Sequence, residues 1–177
     1  MLRTVFPLTT NRLSIRFVRP EDWRAIREIW LDFNASSYSQ YDTPHSTEAE
    51  EVRRRIVRWA AHNGGIEHLF FVVCHGESVI GYVAFNLRET GYEIGYCFHS
   101  DYHGKGYAKE SIQALLGVLW MIDVRRITAG TALANTPSVR LLQSLGFRQV
   151  GAEKVSFYRD SDGKDIFFDG GVFELIL

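Results

Sequence analysis

The chain has 177 residues, 20 Lys and Arg against 21 Asp and Glu for a formal charge of −1, and 46% hydrophobic positions. That length predicts one domain over residues 1–177, large enough to bury a core without metal or disulfide staples. The near-neutral balance excludes a nucleic-acid binder that works by phosphate neutralisation, and Arg53-Arg54-Arg55 lies among Glu48, Glu50 and Glu51 as the solvated side of a helix does.

Met1 to Thr10 lacks the apolar stretch and small-residue cleavage site of a signal peptide, so the expected location is the cytoplasm. Leu13, Ile15 and Phe17 alternate with Ser14, Arg16 and Val18, the period of a half-buried strand. Pro20 starts a helix whose Ile26, Ile29, Trp30 and Phe33 share one face. Asn34 to Ser46 has no period and reads as a loop, and Thr47 with Glu50 forms a capping-box pattern ahead of Val52, Ile56, Trp59 and Ala60. Asn63-Gly64-Gly65 stops that second helix.

Three strands follow, His68 to Cys74, Val79 to Leu87 and Tyr92 to Phe98, with turns at His75-Gly76 and Thr90-Gly91. Ala108 to Trp120 returns to helical spacing, and Arg126 to Thr131 is a short strand. Thr136-Pro137 is a good helix start and Gly146 a good stop for the helix carrying Leu141, Leu142 and Leu145. Phe147 to Tyr158 and Phe167 to Ile176 close the chain around a turn at Asp162-Gly163. The order predicts an α+β single domain, a mixed and mostly antiparallel sheet flanked by about four helices. No apolar run, Leu115 to Ile122 included, approaches the ~20 residues of a membrane span. Cys74 and Cys97 lack metal-ligand spacing and read as buried thiols, so no metal site is predicted, and His45, His62, His68, His75 and His99 form no ligand cluster.

The most informative stretch runs from Tyr92 through Phe98 and His99-Ser100-Asp101-Tyr102 to His103-Gly104-Lys105-Gly106-Tyr107-Ala108, a strand feeding a glycine loop that opens a helix. Glycines let the backbone approach a ligand, and the free N–H groups of a helix start favour a phosphate or pyrophosphate, although two glycines in this place also serve as a plain turn. The nucleotide-hydrolysis loop G-x-x-x-x-G-K-[ST], the dinucleotide fingerprint G-x-G-x-x-G and the nucleophile elbow G-x-S-x-G are all missing.

His103-x-x-Gly106-x-Ala108 resembles the acetyl-CoA pyrophosphate signature of the GNAT superfamily of N-acetyltransferases. Asn135-Thr136-Pro137-Ser138, followed by apolar residues and Leu145-Gly146-Phe147, resembles its second block. Thr10-Asn11-Arg12-Leu13 with Arg19-Pro20-Glu21-Asp22 is similar to the opening of the branch containing ribosomal-protein N-terminal acetyltransferases. The resemblance implies acetyl-CoA as cofactor and a primary amine as acceptor, on a protein N-terminus or a small molecule. It implies pyrophosphate binding by main-chain N–H groups of His103, Gly104, Lys105, Gly106, Tyr107, Ala108 and Lys109, pantetheine pairing at Cys97 and Phe98, and Asn135 and Ser138 near the thioester. Two departures stand out: His103 replaces the usual Gln or Arg, and Leu142 occupies the slot of a Tyr that protonates the thiolate in many members.

An amine attacks a thioester only when neutral, so a base must take a proton and fixed donors must hold the oxyanion. Glu93, on the face of Gly95 and Cys97, is the candidate base; its alternative is an exposed strand carboxylate or a partner for a nearby Arg. Ser138 is the candidate acid, or orients a water; its alternative is a hydroxyl capping the helix start. Tyr38 and Tyr41, in the unpatterned loop, are candidate acceptor-binding residues with Glu93, whereas Trp30 and Phe33 fall on an apolar stripe and read as core. A non-catalytic acyl-CoA sensor or interaction module is the competing function. The apolar final strand, Phe167 to Leu177, fits either a homodimer surface or burial within the sheet.

Overall fold

The structure, a computed structural model, describes residues 4–63 and 65–177, so the first three residues of the Met1–Thr10 stretch and Gly64 of the predicted helix stop lie outside it. The chain opens with two antiparallel strands, β1 (Leu8–Thr9) and β2 (Ser14–Phe17). β1 has two residues, too few for the alternation that marks β2. On β2, Ile15 enters the core while Arg16, on the other face, grips the buried carboxylate of Asp22 through two bonds of 2.7 Å. Asp22 also accepts the Arg19 N–H, which winds Pro20–Asp22 into a 3-10 turn. The helix expected from Pro20 therefore begins three residues later as α1 (Trp23–Ala35).

In α2 (Ala49–Ala61) the N-cap position is taken by Glu48, with no side-chain cap bond. The expected Thr47 capping box does not form, since the helix starts one residue later than a Thr47 cap would set it; the Thr47 carbonyl accepts the Arg27 Nε–H at 2.7 Å. Next come β3 (His68–His75), β4 (Ser78–Arg88) and β5 (Gly91–Phe98), an antiparallel meander. The chain then forms α3 (Tyr107–Met121), β6 (Arg126–Ala132), α4 (Thr136–Ser144), β7 (Arg148–Arg159) and β8 (Asp165–Ile176). Asn135, one residue before the expected Thr136, caps α4, and Gly146 at φ +93° ends it.

The described strands form one eight-stranded sheet, ordered β1-β2-β3-β4-β5-β6-β8-β7, in which only β5 and β6 run parallel. The fold is the predicted α+β single domain, a mixed and mostly antiparallel sheet flanked by four α-helices among the described residues. Both faces of β3 are covered: Leu69, Phe71 and Val73 join one core with Ile112 and Leu115 of α3, and Phe70, Val72 and Cys74 join the other with Ile26, Trp30 and Ile56 of α1 and α2. This double burial explains why β3 reads as an unbroken apolar run. Each such side chain contributes about 1.5–3 kcal/mol. In β8, Phe173 is fully buried whereas Phe167 and Ile176 are exposed. No helix among the described residues is long and apolar enough to cross a membrane.

The centre of the sheet is split. β5 and β6 pair only at Tyr92↔Ile127 and Glu93↔Thr128. Beyond that point β5 stays with β4 as far as Phe98↔Gly81, while β6 stays with β8 as far as Ala132↔Gly170. Each strand follows its antiparallel partner, and the two diverge into a wedge.

Candidate active site

The wedge exposes backbone. The His99 N–H bonds Ile80 O at 3.0 Å, and ladder bonds alternate along an antiparallel pair, so the peptide groups of Cys97 face β4 while those of Tyr96 and Phe98 face the wedge. Of the two residues expected to pair with pantetheine, Phe98 thus turns its main-chain N–H there, its carbonyl being bonded by His103, and Tyr96 turns both of its groups there, whereas those of Cys97 face β4. On the α1 and α2 side, Gly95 and Gly130 are both exposed, and a Cβ on either would meet nothing within 4 Å. Continuing the register from Glu93↔Thr128 sets these two glycines opposite each other, so the wedge is open on that side.

At the end of β5 the chain turns through Ser100–Tyr102 into the glycine loop. Asp32 of α1 accepts the Ser100 N–H at 2.8 Å and its hydroxyl at 2.6 Å; burial raises the Asp32 carboxyl, but these bonds outweigh it and hold the group below its ordinary value. His103 Nε2 donates to Phe98 O at 2.7 Å, tying the loop to the strand end. Gly104 and Gly106 adopt φ +71° and +80°, a region that a side chain enters at a cost of about 1–2 kcal/mol. The Glu110 N–H bonds Gly106 O at 3.0 Å, so the N–H groups of Tyr107, Ala108 and Lys109 come before the helical ladder begins. They are the donors that an anion at this helix start would use.

The loop is braced from outside by the opening segment. Arg12 pairs with Glu110 at 2.6 Å, donates to Lys105 O at 2.9 Å, and stacks its guanidinium 4.6 Å from the centre of the Tyr107 ring. Thr10 donates to Glu110 at 2.6 Å; with Arg12, this holds the carboxyl below its ordinary value. A groove of about 430 Å³ beside the loop is lined by Asn11, Gly106, Lys109 and Gln113.

Side chains of β5 divide between the two faces. Glu93, at the last β5–β6 pair, accepts two bonds from Arg88 at 2.8 and 2.5 Å, both on Oε2. On the opposite face Tyr96 reaches α4, where its hydroxyl lies 2.9 Å from Ser138 Oγ. Burial pushes the Tyr96 phenol up to about 12, with the Ser138 bond acting the other way. Asn135 accepts the Ser138 N–H at 3.3 Å, so Asn135, and not the Ser138 hydroxyl, caps α4.

Residues 12–148 match the acetyltransferase (GNAT) domain family, over three quarters of the chain. The chain belongs to the GNAT acetyltransferase family. It is 31% identical over 165 residues to the uncharacterized N-acetyltransferase YnaD of Bacillus subtilis, covering 91% of this chain and 94% of the relative. It is 32% identical over 150 residues to the uncharacterized N-acetyltransferase p20 of Bacillus licheniformis, with 81% and 83% covered. Among solved structures, the RimL ribosomal L7/L12 α-N-protein acetyltransferase superposes with a TM-score of 0.82 at 20% identity, covering 97% of this chain and 93% of that one. RimL has also been solved in complex with coenzyme A, and that structure superposes at a TM-score of 0.80.

This GNAT chain also brings together two segments that its sequence did not announce as neighbours. Tyr38 and Tyr41 flank the short turn Ser39–Tyr41, and the β7–β8 hairpin docks there: Tyr158 donates to Ser39 O at 3.1 Å, and Phe168 packs edge-on against Tyr41 at 5.3 Å. Trp30 is fully buried, as its helical spacing predicted, and donates to Tyr82 OH at 3.0 Å; Phe33 is partly covered. His45 stacks on Trp30 at 4.8 Å, and burial, with Arg55 adding, lowers its imidazole against the opposing pull of Asp42. Burial pushes Cys97 up to about 12, reinforced by Asp42 and Asp32. Arg12, Glu110, Tyr96, Tyr158 and Phe168 were missed because each acts through a partner remote in sequence. Lys105, expected at the pyrophosphate, spends its ammonium on Asp101 O at 2.8 Å, which leaves its main-chain N–H as the group available there.

Proposed function

We propose that the protein transfers an acetyl group to a primary amine, on a protein N-terminus or a small molecule, by direct attack of the amine on the thioester. The acyl donor is acetyl-CoA, which supplies an activated carbonyl and a good leaving group. The observation that carries the reading is the wedge between β5 and β6, flanked at one end by a helix start preceded by two left-handed glycines.

In this reading the N–H groups from Gly104 to Lys109 hold the pyrophosphate, with His103 keeping the loop in place through Phe98 O. The backbone groups of Tyr96 and the Phe98 N–H that face the wedge hold the pantetheine arm, and Asn135 sets the start of α4. The amine enters on the open side marked by Gly95 and Gly130, between Tyr38, Tyr41 and the β7–β8 hairpin. Glu93 Oε1 takes the proton of the attacking amine, directly or through a water, while Arg88 fixes the carboxylate through Oε2. Ser138, on the other face, serves the leaving sulfur. The RimL likeness favours a protein N-terminus as acceptor.

The test is the thermal unfolding midpoint with acetyl-CoA, CoA or ATP, followed by thiol release over a panel of amines and N-terminal peptides. A rise with both CoA species and not with ATP, and release with at least one amine, support the reading. Tight binding without release on any acceptor would make the chain an acyl-CoA sensor, and no rise at saturation would overturn the cofactor site.

A further inference from the structure

We infer that Tyr96 is a positioning residue for acetyl transfer: its hydroxyl holds Ser138 so that the Ser138 O–H is presented into the wedge as a donor to the leaving sulfur. The inference rests on the function proposed above and adds a residue to it.

Tyr96 lies on β5 three positions beyond the last β5–β6 pair, and Ser138 lies in the first turn of α4, so their 2.9 Å contact crosses from one side of the wedge to the other. The direction of the bond follows from acidity. A phenol is a far stronger donor than an aliphatic hydroxyl, so Tyr96 O–H donates and Ser138 Oγ accepts. Burial and the Ser138 bond are the two influences on this phenol, with no charged neighbour among them, and it stays protonated at neutral pH. A hydroxyl that accepts one bond keeps its own proton to give. Asn135 has already satisfied the Ser138 N–H, so the hydroxyl is not drawn into capping the helix. The start of α4 adds a partial positive charge at the same place. As the carbon–sulfur bond gives its electron pair to sulfur, Ser138 O–H stabilises the negative charge. The amine proton goes to Glu93 and then to solvent, and the released sulfur takes its proton from solvent.

The experiment compares the unsubstituted protein with Tyr96→Phe, Ser138→Ala and the double variant. Ser138→Ala should lower kcat about 100-fold, the range for loss of one preorganised donor. Tyr96→Phe should lower it about tenfold, the factor that one ordinary hydrogen bond commands, with KM for acetyl-CoA within about twofold. The double variant should match Ser138→Ala, since Tyr96 acts through Ser138. A second readout needs no turnover: the affinity for CoA relative to S-methyl-CoA, which has no thiol to ionise, measured from pH 7 to 9.5. In the unsubstituted protein this ratio should climb with pH as the thiolate forms under the Ser138 donor, and in Tyr96→Phe it should stay nearly flat. A purely structural latch would leave the ratio unmoved by the substitution. An unchanged ratio in a Tyr96→Phe protein that binds CoA normally, or a double variant slower than Ser138→Ala, would overturn the inference and leave the proposed function standing. Failure of the unsubstituted protein to bind CoA would overturn both.

Discussion

Glu93 and Cys97 are four positions apart on one face of β5, and their surroundings differ. Glu93 is 39% exposed at its side chain and paired with Arg88, so its ion pair contributes about 0.2–1 kcal/mol to stability. Glu93→Gln should therefore hardly shift the unfolding midpoint, while kcat falls about 100-fold or more because an amide cannot take the amine proton. A variant that keeps full kcat with a panel amine would remove Glu93 from the chemistry. Cys97 is half-buried, and burial pushes its thiol from an ordinary 9.0 to about 12. Above 9.0 the unfolded chain releases this proton and the native chain retains it, so the stability it contributes declines as pH rises from 9.0 toward about 12. The urea midpoint should drop between pH 8 and 10.5, and Cys97→Ala should flatten that drop. Parallel declines in the two proteins would show that Cys97 is not a source of it.

The loop between β5 and α3 owes its shape to glycines that were legible in the sequence and to a brace that was not. Gly104 and Gly106 could be placed before a helix from local pattern alone, and both do adopt positive φ. Arg12 reaches the loop across more than ninety positions of chain, a contact that no local pattern encodes. The same distinction runs through the fold: α1, α3 and the meander followed from period, whereas the wedge depends on which partners β5 and β6 keep, and Tyr96 read only as one more strand aromatic. Where the Thr47 signal failed, the cap position fell one residue later, on Glu48. Two predictions separate these contributions. Gly106→Val forces a branched side chain to φ +80° and toward Arg12 Nη2, 3.5 Å from the new Cβ, and should abolish the acetyl-CoA thermal shift while circular dichroism stays native. Arg12→Ala leaves the glycines intact and should weaken acetyl-CoA binding by calorimetry several-fold, short of abolishing it. Unchanged affinity in Arg12→Ala would make the brace a stability feature only.

Across the whole molecule, the sheet brings the end of the chain back to the loop after α1. β8 lies next to β6, which sends the β7–β8 hairpin over the open side of the wedge and onto Ser39–Tyr41. In the proposed reading the acceptor cleft is closed by two segments more than 100 residues apart, joined by the Tyr158–Ser39 bond and the Phe168–Tyr41 ring contact. Neighbouring residues on the hairpin allow a controlled test, because Phe168 packs on Tyr41 and Phe157 whereas Phe167 is 59% exposed. Phe168→Ala should raise KM for the amine about five- to tenfold by loosening the wall, with acetyl-CoA affinity unchanged because the pyrophosphate loop and the wedge backbone are not touched. Phe167→Ala should alter neither constant, since its side chain faces solvent. Steady-state kinetics with amine and acetyl-CoA varied in turn would distinguish them. An equal effect of both substitutions on acetyl-CoA would mean that the hairpin steadies the sheet as a whole and does not bound the acceptor cleft.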